Sequence, residues 1–228
     1  MTNLNLSRPR QVPCKGLIFD LDGTLLDTLR CIGTAFNTAL KRLGYPTHPI
    51  SEFRNFIGDG VFKCAERALP EDARRAPIIE ELVAQERQIY DETWADEIAV
   101  YPGIASVLAE LTHRDIPTAV LTNKDQEAAE SCLQHCFPEH AFQGIIGFNG
   151  RFPHKPDPSG GQLLIESLGL PPHQLAMIGD TPVDIETARA CSLIAVGVSW
   201  GFRDRDVLLA AECDHLIDDP KALLQLID

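Results

Sequence analysis

The chain has 228 residues, 44% of them hydrophobic and 23% charged, with a formal net charge of −13. That is room for one large domain or for a domain carrying a sizeable insertion, in an ordinary globular composition. The acidic balance argues against nucleic acid or an anionic membrane as partner, although a bound cation could still reverse the field locally for an anionic substrate.

The first element is predicted at Gly16 to Phe19, a continuous apolar run of the kind found in strands covered on both faces, with Gly23 marking a break. From Thr28 to about Ala99 the periodicity is helical. Ile32, Ala35, Phe36, Ala39, Leu40 and Leu43 share one face, and Gly44 and Pro46 end it. Ser51-Glu52 opens a short helix reaching towards Gly58. Val61, Phe62, Ala65, Ala68 and Leu69 make another face, closed by Pro70, and Ile78, Ile79, Leu82, Val83, Ile89 and Tyr90 a further one. These amphipathic helices read as a small bundle.

After Tyr101-Pro102-Gly103 the grammar changes. A helix over Ile104, Val107, Leu108 and Leu111 precedes a strand at Thr118 to Leu121, a helix at Gln126 to Leu133 and a strand at Ile145-Ile146. A helix at Gln162 to Leu168, a strand at Leu175 to Ile178 and a helix at Asp184 to Ala190 follow. Strands at Leu193 to Val198 and His215 to Ile217 complete the series. The alternation specifies an α/β fold, a Rossmann-like doubly wound parallel sheet with helices on both faces. The expected division is an α/β core over 13–27 and 100–228 and an inserted helical cap over 28–99. Its hinges are expected at residues 99 to 103 and just after Asp27.

No apolar run approaches the ~20 residues of a membrane span, and Met1 to Pro13 lacks the hydrophobic stretch of a secretory signal. Seven cysteines without a CxxC pair fit a reduced, cytoplasmic chain. Cys132 and Cys136, at i,i+4 on a helix, read as packing residues rather than a metal pair.

In open parallel sheets ligands bind beyond the carboxyl ends of the strands, so the residues following each strand matter most. Asp20 and Asp22 follow the first strand, spaced so that both side chains can face one substrate. Two such carboxylates repel unless a cation or a proton holds them. An EF-hand calcium loop would need Glu at its twelfth position, which is Cys31 here. Thr122, Asn123 and Lys124 follow the second strand of the sheet, and Gly179, Asp180 and Asp184 follow the Leu175 to Ile178 strand. Lys155 lies in His154-Lys155-Pro156-Asp157-Pro158. Thr122 and Asn123 could equally cap a helix, Asp180 and Asp184 could cap the helix that follows, and Lys155 could be a solvated lysine. Together, hydroxyl, amide, lysine and four carboxylates make a site for a metal ion and a phosphoryl group.

The order Asp20-Leu-Asp22-Gly-Thr24, Thr122-Asn123, Lys155-Pro and Gly179-Asp180-xxx-Asp184 resembles the four motifs of the haloacid-dehalogenase superfamily. Ile57-Gly58-Asp59-Gly60, Glu66-Arg67-Ala68-Leu69 and Tyr101-Pro102-Gly103 resemble its phosphoglycolate phosphatase branch. Ser159-Gly160-Gly161 and Phe148-Asn149-Gly150-Arg151 depart from that branch, at what reads as the site mouth. The resemblance implies Mg2+-dependent hydrolysis of a small phosphorylated metabolite, phosphoglycolate-like, through an aspartyl-phosphate. It implies Asp20 as nucleophile, Asp22 as general acid and then base, and Lys155 as a catalytic cation. Asp20, Asp180 and the Asp22 backbone carbonyl would ligate the metal, with Asp184 orienting a metal-bound water or Lys155. Thr122 and the N–H groups of Asn123 and Gly23 would bind phosphate. In the cap, Lys63 and Arg67 read either as surface or structural residues or as candidates for a substrate carboxylate. The competing readings are a phosphosugar mutase of the β-phosphoglucomutase kind and a catalytically idle phospholigand-binding protein. The expected partner is the small metabolite alone, with no nucleic acid and no membrane, in a monomer or homodimer.

Overall fold

The computed structural model describes residues 14–227. The segment Met1 to Pro13, and with it Pro13 of the expected core and the terminal Asp228, lies outside the described residues. In chain order the elements are β1 (Gly16–Phe19), β2 (Leu26–Asp27), α1 (Leu29–Arg42), α2 (Phe53–Phe56), α3 (Val61–Ala68), α4 (Ala76–Glu97), β3 (Ala99–Val100) and α5 (Ile104–His113). There follow β4 (Thr118–Asp125), α6 (Gln126–Cys136), β5 (Ile145–Phe148), α7 (Ser159–Leu168), β6 (Leu175–Gly179), α8 (Pro182–Ala190), β7 (Ile194–Val198), α9 (Arg205–Ala210) and β8 (His215–Ile217).

Six strands form one parallel sheet in the order β5-β4-β1-β6-β7-β8. Its central strand, β1, is buried along its whole length, which is why the sequence there has no polar alternation. Phe19 lies in register with Val120 of β4 and Ile178 of β6. Among the sheet strands alone the winding runs third, second, first, fourth, fifth, sixth, so its direction reverses between β1 and β6. A crevice opens at such a reversal.

Each face of the sheet has its own core. Leu17, Phe19, Val120 and Ile178 pack against Ile104, Leu108 and Leu133 on one face, and Ile18, Leu121 and Met177 pack against Leu164 and Ile185 on the other. Removing each such side chain from water is worth ~1.5–3 kcal/mol. In α7, Gly160 and Gly161 pack closely: a Cβ on Gly161 would stand 2.5 Å from Cys191 Sγ, and one on Gly160 3.0 Å from Leu121 Cδ1. The Ser159-Gly160-Gly161 departure therefore brings a helix close to the sheet, with Gly160 lining a small pocket beside Thr122, Asn123 and Lys155.

The helices between β2 and β3 bury a separate apolar cluster that includes Phe36, Phe53, Leu69, Leu82 and Tyr90. Phe36 and Phe53 stack with ring centroids 5.8 Å apart. The segment leaves and re-enters the sheet layer through a two-stranded antiparallel ladder, Leu26 opposite Val100 and Asp27 opposite Ala99. Hydrogen bonds tie it down over the strand ends, among them Arg54 Nε donating to Phe202 O at 2.8 Å, Arg203 Nη2 to Ile57 O at 2.8 Å and Asn123 Nδ2 to Gly58 O at 3.0 Å. No helix among the described residues is long and apolar enough to cross a membrane. No disulfide joins cysteines among the described residues.

Candidate active site

Asp20 leaves β1 at the point of reversal, and its backbone N–H still donates to Ile178 O of β6 at 2.8 Å. Asp180 follows β6 directly, and Asp184 stands in the first turn of α8. Parallel strands ending in register thus deliver three carboxylates to one point, where one oxygen of each lies within 4.8 Å of the others. All three residues are buried. Lys155 Nζ sits between two of them, 2.8 Å from Asp20 Oδ1 and 2.6 Å from Asp184 Oδ1.

The second oxygen of Asp184 accepts from the Thr181 N–H at 3.0 Å and its hydroxyl at 2.8 Å, closing a capping box at the start of α8. The capping role open from sequence is filled by Asp184, and the same carboxylate stands in the acidic trio. Asp180 accepts from the Phe202 N–H at 2.7 Å and the Thr24 hydroxyl at 3.3 Å. Its surroundings admit no extra atoms: at Gly23, φ +87°, a Cβ would fall 2.3 Å from Asp180 Oδ2, and at Gly201 one would fall 2.3 Å from Asp180 Cβ.

Burial pushes the Asp20 carboxyl up to about 7, against the pull of Lys155 and with help from Asp184 and Asp22. Asp180 is pushed well up by burial, then by the charges of Asp184 and Asp20. Burial would lower the Lys155 pKa, but Asp184 and Asp20 reverse that and hold the ammonium above its ordinary value. The one ammonium reaches two of the three acids, so the cluster has carboxylate charge to spare. Hard oxygen donors with uncompensated charge suit a divalent cation.

Asp22 stands apart from this trio. Its carboxylate faces Lys124 Nζ at 3.4 Å, and it lines a cavity of about 640 Å3 between the strand ends and the helices above. The metal ligand expected from Asp22 is its backbone carbonyl, and its side chain is left to pair with Lys124. Lys124 itself, seen from sequence only as a neighbour of Asn123, is half-buried, with its side chain 8% exposed, and lies 4.4 Å over the Tyr90 ring. Thr122 and Asn123 line the cavity beside Asp20. The Thr122 hydroxyl accepts from the Lys124 N–H at 3.2 Å and keeps its own proton to donate. Asn123 holds the Lys155 loop, its Oδ1 accepting from the Lys155 N–H at 2.7 Å and its Nδ2 donating to Lys155 O at 3.2 Å.

Three expectations meet a different geometry. The Gly23 N–H, expected to bind phosphate, donates to Leu26 O at 2.8 Å within its own turn. Lys63 is exposed and pairs with Glu66 at 2.5 Å on the surface of α3. Arg67 pairs with Asp59 at 2.5 Å and donates to Phe56 O at 2.9 Å. Neither cation lines the cavity. Glu86 and Arg87 of α4 do, as do Phe148, Asn149 and Gly150. Arg87 donates to Asp125 from Nε at 2.7 Å and from Nη2 at 2.9 Å. The signal for Glu86 was a gap in a stripe: Leu82, Val83, Ile89 and Tyr90 of α4 are buried, and the glutamate falls midway between them.

Residues 17–198 match the family model of the haloacid dehalogenase-like hydrolases. The chain belongs to that family. It is 31% identical over 219 residues to a phosphoglycolate phosphatase of Vibrio cholerae, covering 93% of this chain and 96% of the relative. It is 33% identical over 200 residues to a phosphoglycolate phosphatase of Chromobacterium violaceum, covering 85% and 89%. Among solved structures, CbbY of Rhodobacter sphaeroides in complex with phosphate superposes with a TM-score of 0.77 at 26% identity, covering 92% of this chain and 96% of that one. These relatives place the chain among phosphoric monoester hydrolases of the family.

Proposed function

We propose that the protein hydrolyses a small phosphate monoester in two displacements on Asp20, with Mg2+ as the metal. The observation that carries this reading is the convergence of Asp20, Asp180, Asp184 and Lys155 at the sheet's reversal, with Asp22 facing the same cavity. Asp20 attacks phosphorus, forming an aspartyl-phosphate and replacing one hard displacement with two easier ones. Asp22 protonates the leaving alkoxide and then takes a proton from the hydrolytic water, its two oxygens steadied by Lys124. Lys155 orients Asp20 and offsets the charge of the transferring group. The Thr122 hydroxyl and the Asn123 N–H donate to phosphoryl oxygens, and Asn123 also fixes the Lys155 loop.

Asp20 and Asp180 are the residues that would hold Mg2+, with Asp184 fixed beside them by Lys155 and Thr181. When bound, the ion supplies charge neutralisation between an anionic nucleophile and an anionic phosphate. The helices of 28–99 act as the cap that keeps bulk water out, hinging at the β2–β3 ladder. An idle binding protein would lack a catalytic group, whereas each of the expected ones is present in the site.

The test is phosphate release from p-nitrophenyl phosphate with Mg2+, wild type against Asp20→Asn. Loss of turnover in the variant is expected; equal activity refutes the assignment. Phosphate released into water, rather than isomerised sugar phosphate, separates hydrolase from mutase.

A further inference from the structure

Glu86 is 5% exposed and lines the cavity from the middle of the buried stripe of α4. Among the described residues no hydrogen bond or ion pair reaches its carboxyl. A buried carboxylate without a partner is costly. Its place on a cavity wall points to a ligand.

The cations of that wall are already engaged. Arg87 pairs with Asp125 through Nε and Nη2, and Lys124 is held by Asp22 and the Tyr90 ring. A carboxylate on the leaving group would find no unpaired cation among the described residues lining the cavity. It would face Glu86 instead, two acids contending for one proton. The cavity, about 640 Å3, is also far larger than a two-carbon acid fills.

We infer that Glu86 is a specificity residue that hydrogen-bonds a hydroxyl of the leaving group, so that the preferred substrate is the phosphate ester of an uncharged polyol or sugar rather than of a hydroxy acid. This rests on the phosphatase reading above. Burial pushes the Glu86 carboxyl up to about 8, so near neutrality it both donates and accepts, as a hydroxyl partner requires.

The experiment measures kcat/KM for phosphate release by the Mg2+-supplemented wild type on five esters. These are glycerol 1-phosphate, ribose 5-phosphate, phosphoglycolate, phosphoethanolamine and p-nitrophenyl phosphate. At least one of the two hydroxylated esters is expected to exceed phosphoglycolate and phosphoethanolamine by about tenfold or more. Glu86→Leu should lower the ratio of that ester to phosphoglycolate by about tenfold or more, and Glu86→Gln, which keeps a donor and an acceptor, should restore most of it. A wild type that prefers phosphoglycolate or phosphoethanolamine overturns the inference and leaves the phosphatase reading standing. So does a ratio that folded Glu86→Leu does not move. Failure to hydrolyse any ester, p-nitrophenyl phosphate included, overturns both. The wild-type panel needs no variant, so it decides the matter even if Glu86→Leu misfolds.

Discussion

The strand ends and the helical wall across the cavity both bury acidic side chains, and they treat them in opposite ways. At the strand ends, Asp20 and Asp184 share Lys155, Asp184 also takes two hydrogen bonds from Thr181, and Asp180 takes the Phe202 N–H and the Thr24 hydroxyl. On the wall, Glu86 is equally buried and has no such partner. The first arrangement is fixed by backbone: parallel strands in register, a helix cap and two glycines that leave no room for another atom. The second depends on one side chain of one helix. On the proposed mechanism, chemistry common to all esters belongs to the rigid region, and the choice among esters to the wall.

That contrast can be broken at either end. The larger effect is expected from Lys155→Met, which leaves Asp20 and Asp184 without their ammonium. Turnover should fall by ~10²–10³ or more on every ester alike, as for other preorganised charge-stabilising groups. Steady-state kinetics on the ester panel checks this; a variant that kept its rate but changed its ester preference would erase the distinction between the two regions.

A smaller effect, on stability rather than rate, sharpens the other end. An unfolded chain gives up the Glu86 proton near the ordinary value of 4.5, and the folded chain keeps it to about 8. Between those values the folded state holds the extra proton, so this residue makes stability fall as pH rises. Its carboxyl is faced by Lys124 and Arg87, which lower its pKa, and by Asp125 and Asp91, which raise it. Glu86→Gln has no proton to lose. Its advantage over wild type in urea or thermal unfolding should grow from pH 4.5 to 8 and then level, reaching roughly 2–4 kcal/mol. A difference that stays flat across the window would show that burial does not govern this carboxyl.

What could be read from sequence follows the same division. Apolar runs ending in Asp20 and in Gly179-Asp180 mark buried strands and their carboxyl ends, and period and position suffice for those. The helical character of the segment after Thr28 was equally plain from its spacing. The β2–β3 ladder has two residues a side and α9 only six, too few to leave a periodic trace. β4 runs on through Asp125 with a register shift after Leu121, so Lys124 faces Asp22 from within a strand rather than from a loop. Lys63 and Arg67 carry the right charge for an acidic ligand, yet their partners Glu66 and Asp59 could be known only from three-dimensional proximity. Glu86 required attention to what a stripe lacks.

The account stands or falls on where the phosphoryl group rests between the two displacements. Turnover quenched in acid within the first cycle, followed by peptide mass spectrometry, should find a hydroxylamine-labile phosphate on the peptide bearing Asp20, absent in Asp20→Asn. Phosphate on any other residue, or a burst of released alcohol with Asp20 unmodified, would contradict it.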